Sequence, residues 1–173
     1  MNQPQASYPR GWTSGPSRVM CQTGMQSGVS NRTPQPTISS LKKADVDELQ
    51  STCTAKEAKQ DGGLDKIKDA LRTTIKANGF TAAVDHWLTP HYQYANRLAH
   101  LHFLIEHRIP ARLVFIYFCG DNWCGKTLRN GKLPICPKDA KAWAAPLEML
   151  HDHLGLGGRS KLEERVHNVF LRV

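Results

Sequence analysis

An α/β domain is predicted for this chain by two observations from one stretch, residues 89–121. Tyr94, Leu98, Leu101 and Ile105 recur at i, i+4, i+7 and i+11, the spacing of one buried helical stripe. Shortly after it, Leu113-Val114-Phe115-Ile116-Tyr117-Phe118 forms an unbroken apolar run between Arg112 and Gly120. Such a run suits a central strand covered on both faces. A helix that feeds a buried strand is the local pattern of α/β architecture.

Taken in order, the elements are uneven in clarity. Residues 1–40 follow neither a helical nor a strand period and are rich in Gly, Ser, Pro, Gln and Thr. They read as a disordered basic arm. A flexible arm, a mitochondrial-type presequence and non-native sequence from a shifted frame are three readings of it. The folded domain is therefore expected over residues 41–173. Leu64, Ile67, Leu71 and Ile75 predict a helix over 63–77, ended near Asn78-Gly79. Thr89 suits the cap of the next helix and Pro90 its first position. Gln93, Arg97 and His100 form a polar file beside the apolar stripe. His107 and Arg108 suit that helix's negative end, and Pro110 stops it. Residues 119–137 read as a loop, broken by Gly120, Gly125, Gly131, Pro134 and Pro137. Residues 138–154 read as two helical pieces, because Pro146 suits a helix start and not its interior. Arg165 to Val173 reads as a last strand.

Composition narrows the function classes. At 173 residues the chain can bury one core, and one domain is the expectation. No apolar run approaches the length of a membrane span, so no membrane partner is expected. Five cysteines at uneven spacing do not read as a disulfide framework, which points to a reducing cytoplasm. The formal charge of +8 resembles a nucleic-acid signature. Residues 1–44, however, hold Arg10, Arg18, Arg32, Lys42 and Lys43 with no acid, while the rest carries a balance of only +3. A basic arm can bind phosphate by counterion release; the folded part alone does not demand it.

Gly120 to Thr127 matches the phosphate-loop pattern G-x-x-x-x-G-K-[ST] and follows an apolar strand. The motif needs a helix directly after it, to aim amides at phosphate. Leu128 to Pro134 does not supply that helix, and a surface loop is the plainer reading. Cys119, Cys124 and Cys136 with His151 or His153 lack the usual zinc spacings. The eight histidines are otherwise scattered, and each alone reads as structural.

Residues 92–101 (Tyr92 to Leu101), 109–118 (Ile109 to Phe118) and Gly120-Asp121, with Leu154-Gly155-Leu156 and Val166 to Leu171 in support, carry a family resemblance. The stretch 90–173, and more loosely 41–90, resembles a group of uncharacterised bacterial proteins with a PD-(D/E)XK nuclease-like domain. That resemblance implies a restriction-endonuclease-like three-layer core with a central mixed sheet, its amino-terminal part incomplete here. It also implies Mg2+ held by an Asp and the Glu of an E-x-K strand, whose Lys activates the attacking water. The helix after that strand would bring Gln93 and Arg97 to one face, and the strand 112–118 would support the site from behind. DNA or RNA is the implied partner.

The carry-over assigns the E-x-K strand to Leu41-Lys42-Lys43. Lys43 matches the lysine, but Leu41 stands where the metal-binding Glu belongs, and no Asp or Glu precedes Asp45. If 41–47 is a strand, Lys43, Asp45 and Asp47 share a face, and Asp45 is a substitute metal ligand. Against this, Asp45, Asp47 and Glu48 read equally as solvated residues at an element's end. The expectation is a degenerate or truncated, catalytically impaired nuclease homologue that retains nucleic-acid binding through Lys43, Arg97 and the basic arm. A nucleotide-binding protein using Gly120 to Thr127 and a non-catalytic interaction domain are the alternatives.

Overall fold

The computed structural model describes residues 37–56, 63–121, 136–157 and 159–173, all within one compact unit, Pro34–Val173. The expectations for residues 1–36 lie outside the described residues. In order come β1 (Thr37–Lys43), a short 3-10 helix (Asp47–Leu49), α1 (Gly63–Asn78), α2 (Val84–Leu88) and α3 (Tyr92–Glu106). Then follow β2 (Ala111–Cys119), α4 (Ala140–Leu154) and β3 (Val166–Arg172). The class is α/β, as the helix-then-strand pattern implied. β1 begins at Thr37, four residues before the expected boundary at 41.

The sheet has the order β1-β2-β3. Both pairings are parallel, Leu41 lying opposite Phe115 and Lys43 opposite Tyr117 on one side, and Phe115 opposite Asn168 on the other. A mixed sheet was expected; among the described residues the strands run parallel throughout. β2 is central, but it is not covered equally. Ala111, Leu113, Phe115, Tyr117 and Cys119 are buried, while Val114, Ile116 and Phe118 are half-buried and Arg112 is exposed. An unbroken apolar run hides such alternation, because both faces carry hydrophobic residues.

α3 and α4 both pack on the buried face of β2. Tyr94 stacks on Phe115, with ring centroids 4.1 Å apart and planes 4° from parallel. Trp143 meets Tyr117 at 4.9 Å, and its indole N–H donates to the Phe118 carbonyl at 3.1 Å. Leu98, Leu101, Leu150 and Leu154 complete the same core. The α3 stripe is therefore as expected, and α1 matches its expected range to within a residue.

The start of α3 differs. Thr89 is extended and closes α2, a five-residue helix with no counterpart in the sequence reading. The helix begins at Tyr92 with His91 before it, and its Gln93 N–H donates to Ser51 Oγ at 2.8 Å. Ser51 also pairs with His91 in an isolated parallel bridge. The cap thus comes from a distant segment, and Thr89 Oγ1 bonds Thr52 Oγ1 instead, at 3.0 Å. Arg108, beyond the end of α3, has φ of 58°.

Pro146 was expected to split residues 138–154, yet α4 runs unbroken through it. Asp139 caps the helix by accepting the Ala142 N–H at 2.8 Å. Trp143 lies before the proline, and Leu147, Leu150 and Leu154 after it, all buried on one face. Burial of that continuous stripe offsets the one main-chain bond that Pro146 cannot make, a cost of about 3 kcal/mol for an interior proline.

α4 ends at Gly155 in the left-handed region, φ 66°. Its carbonyl accepts Thr81 N–H at 3.2 Å, and a Cβ there would overlap the Ala82 backbone nitrogen. Close by, the buried Trp87 indole N–H donates to the Leu154 carbonyl at 3.0 Å. Replacement Gly155→Ala is expected to cost more than about 1 kcal/mol. Urea unfolding measures this, and an unchanged midpoint would contradict the close approach of 81–82 to 155.

Candidate functional site

β1 places alternate side chains on the helix side of the sheet, with Leu41 half-buried and Lys43 only 7 % exposed. Lys42 between them is exposed. The Lys43 ammonium donates to the Glu48 carbonyl oxygen and to Gln93 Oε1 at 3.0 Å. Burial pulls its pKa below the ordinary 10.5, and the carboxylates of Glu48 and Asp45 push back. The structure therefore brings together Lys43 and Gln93, two of the three residues assigned from the family pattern, across fifty positions. Arg97, one turn further along α3, is half-buried, and His100 is exposed.

Asp45 is placed differently from the substitute-ligand expectation. The strand ends at Lys43, so Asp45 and Asp47 do not continue its face. Asp45 Oδ1 accepts the Glu48 N–H at 2.9 Å, while Glu48 Oε2 accepts the Ala44 N–H at 2.7 Å. These reciprocal bonds fold the chain back into the 3-10 helix, an example of short acidic side chains outcompeting a strand ladder. Partial burial raises the pKa of Asp45, with Glu48 and Asp47 adding to the effect and the amides of Glu48 and Asp47 opposing it.

The donor set does not fit the Mg2+ that the resemblance implies. Mg2+ needs several hard oxygen ligands in a strict geometry. Leu41 offers none, and the carboxylates nearest Lys43 already accept backbone amides of their own turn. Among the described residues no three His, Cys, Asp or Glu side chains gather as a metal site.

The surroundings of Lys43 also limit its chemistry. Leu41, Lys43, Gln93 and Tyr117 line one internal void that has no room for a water molecule. Tyr117 is fully buried, and its hydroxyl has no hydrogen-bond partner among the described residues. Burial pushes that phenol far above its usual range. The Lys43 ammonium thus ties the end of β1 to the turn and to α3.

Other residues were not legible as a site. His91 reaches the turn through the Leu49 carbonyl, while His153 bonds the His86 and Thr89 carbonyls beside it; no local spacing announces this arrangement. Of the phosphate-loop pattern, Gly120 and Asp121 are described, while 122–127 lie outside the described residues. The Gly120 N–H already donates to the Pro137 carbonyl at 2.9 Å. Cys124 likewise lies outside the described residues.

Two outcomes check this geometry. Gln93→Ala removes an acceptor from a buried ammonium and is expected to cost about 1–2 kcal/mol in urea unfolding. The second concerns pH. The folded pKa of Lys43 lies below the unfolded value of 10.5, so in the window between them the unfolded chain binds more protons. Stability from this group therefore rises as pH rises towards 10.5. As pH rises towards 10.5 the native chain should gain stability relative to Lys43→Met; parallel pH curves would contradict a buried lysine.

No protein-family model matches the chain, and neither a curated protein nor a solved structure matches it.

Proposed function

We propose that this chain is a catalytically silent relative of the PD-(D/E)XK nucleases that binds nucleic acid without cleaving it. The observation that carries the reading is the bond from Lys43 at the end of β1 to Gln93 in the first turn of α3. The resemblance places a lysine and a helical glutamine in those roles, with the following strand behind them. Here that strand is β2, parallel to β1 and in register with it. The restriction-endonuclease-like core belongs to the same proposal.

Silence follows from what surrounds the pair. The position of the metal-binding Glu holds Leu41, and the ammonium is bound to protein oxygens. Binding is assigned to groups that solvent can reach. Lys42 is exposed at the strand end, Arg97 is half-exposed on α3, and Gln93 and His100 flank it on the same helix. Lys43, assigned to binding in the sequence analysis, faces inward instead. The basic arm adds sequence-independent attraction, which such residues supply by counterion release.

Fluorescence anisotropy with a labelled oligonucleotide tests this at several salt concentrations. Binding should weaken steeply with salt, and Arg97→Ala should weaken it further and lower the slope by about one. No cleavage is expected with Mg2+ or Mn2+. Metal-dependent cleavage that disappears in Lys43→Met would overturn the proposal, as would the absence of salt-sensitive binding.

A further inference from the structure

A cavity of about 330 Å3 opens on the other side of the 3-10 turn, at the lower end of the size range of small-molecule pockets. Val46, Leu49, Pro146 and Met149 give it apolar walls, and Gln50, His91 and His153 supply polar groups. It adjoins the Lys43 site through one short piece of backbone. The Glu48 carbonyl accepts from Lys43, and the next carbonyl, that of Leu49, accepts from His91.

The protonation pattern of the two imidazoles follows from their partners. His91 Nδ1 lies 2.9 Å from the Leu49 carbonyl oxygen. A carbonyl only accepts, so this nitrogen carries the hydrogen. His153 Nε2 lies 3.2 Å from the His86 carbonyl and 3.1 Å from that of Thr89, so there the hydrogen sits on Nε2. When uncharged, each ring keeps one lone pair, on Nε2 in His91 and on Nδ1 in His153. Burial favours the uncharged form of His91, and so does the neighbouring His153. The rings stand edge to face, 5.4 Å apart and 80° from parallel. Two histidines with main-chain-anchored tautomers, each with one acceptor nitrogen when uncharged, therefore line a space completed by Gln50 and apolar side chains. Met149 lies at its rim, 73 % exposed on a helix whose other large apolar side chains are buried.

His86 stacks on His153 with ring centroids 4.8 Å apart, but among the described residues no three His, Cys, Asp or Glu side chains are grouped to hold a metal ion, so the lone pairs are acceptors for a hydrogen-bearing ligand. The apolar walls and polarizable Met149 suit a flat ring, and the acceptors suit N–H groups on its edge. We infer that this cavity takes a nucleobase, recognised through its N–H and amino groups by His91, His153 and Gln50. The inference draws on the nucleic-acid reading only for the source of the base, which is either an unstacked base of a single strand or a free nucleoside.

Isothermal titration of the full chain with guanosine, adenosine, cytidine and uridine tests it, because nucleosides carry no phosphate for the basic residues to bind. Saturable binding of at least one amino-bearing nucleoside is expected. Met149→Trp fills the cavity from an exposed rim position and should abolish that binding with the thermal midpoint unchanged. His153→Phe should weaken it by about tenfold or more. Failure of every nucleoside to bind, or unaltered binding in Met149→Trp, overturns the inference. Single-stranded oligonucleotide binding separates the two sources. If Met149→Trp weakens it as well, the base comes from a strand; if only nucleoside binding is lost, the ligand is the free nucleoside. Because Arg97→Ala should leave nucleoside binding intact, loss of phosphate-driven binding and loss of the base pocket are distinguishable.

Discussion

The backbone of β2 is hydrogen-bonded to a parallel strand on either edge, and its Leu113, Phe115 and Tyr117 are fully buried. Two core aromatics from the helical layer settle on that row, Tyr94 on Phe115 and Trp143 on Tyr117. Parallel strands need a crossover between them, and the crossover is where α1, α2 and α3 are accommodated. The place of α3, and of everything α3 carries, thus depends on the packing of one strand face.

That dependence reaches the candidate site directly. Seating Tyr94 against β2 brings the first turn of α3 to the carboxyl-terminal end of β1, where Lys43 ends its strand opposite Tyr117. A buried ammonium is costly unless it is bonded to oxygen. The two oxygens available are a carbonyl of the turn and the amide of Gln93, and Lys43 uses both. The same turn is braced from outside by His91 on the Leu49 carbonyl and by Ser51 on the α3 amide. A short segment following β1 is therefore held from several directions. The corner formed by Lys43, the turn and Gln93 has a cavity on its far side.

Much of the fold was legible because its signals are local. The stripes of α1 and α3 are read from spacing, the central position of β2 from its apolar run, and β3 from its own residues. The bond between Gln93 and Lys43 joins residues fifty positions apart, and no spacing announces it. Other features failed for identifiable reasons. Thr89 has the right chemistry for a cap, but the Ser51 carbonyl takes the Tyr92 amide it would have bonded. Pro146 weakens a helix in isolation, whereas Trp143 and Leu147 to Leu154 hold both halves against one core. α2 is too short to show a period, and its Trp87 is fixed by the end of α4. Asp45 could be drawn as a ligand on an extended strand, but its bond to the Glu48 amide turns the chain away.

The sequence by itself determined which faces are apolar and that the class is α/β. These are properties of residue type and spacing, and folding does not alter them. Only the tertiary structure decided that Lys43 points inward and that His91 and His153 share a cavity. It alone decided that Ser51, not Thr89, caps α3. Each of these is a contact between segments far apart in the chain, and it exists because burial on β2 brings those segments within hydrogen-bonding distance. No periodicity records that distance, so spacing alone could not have supplied it.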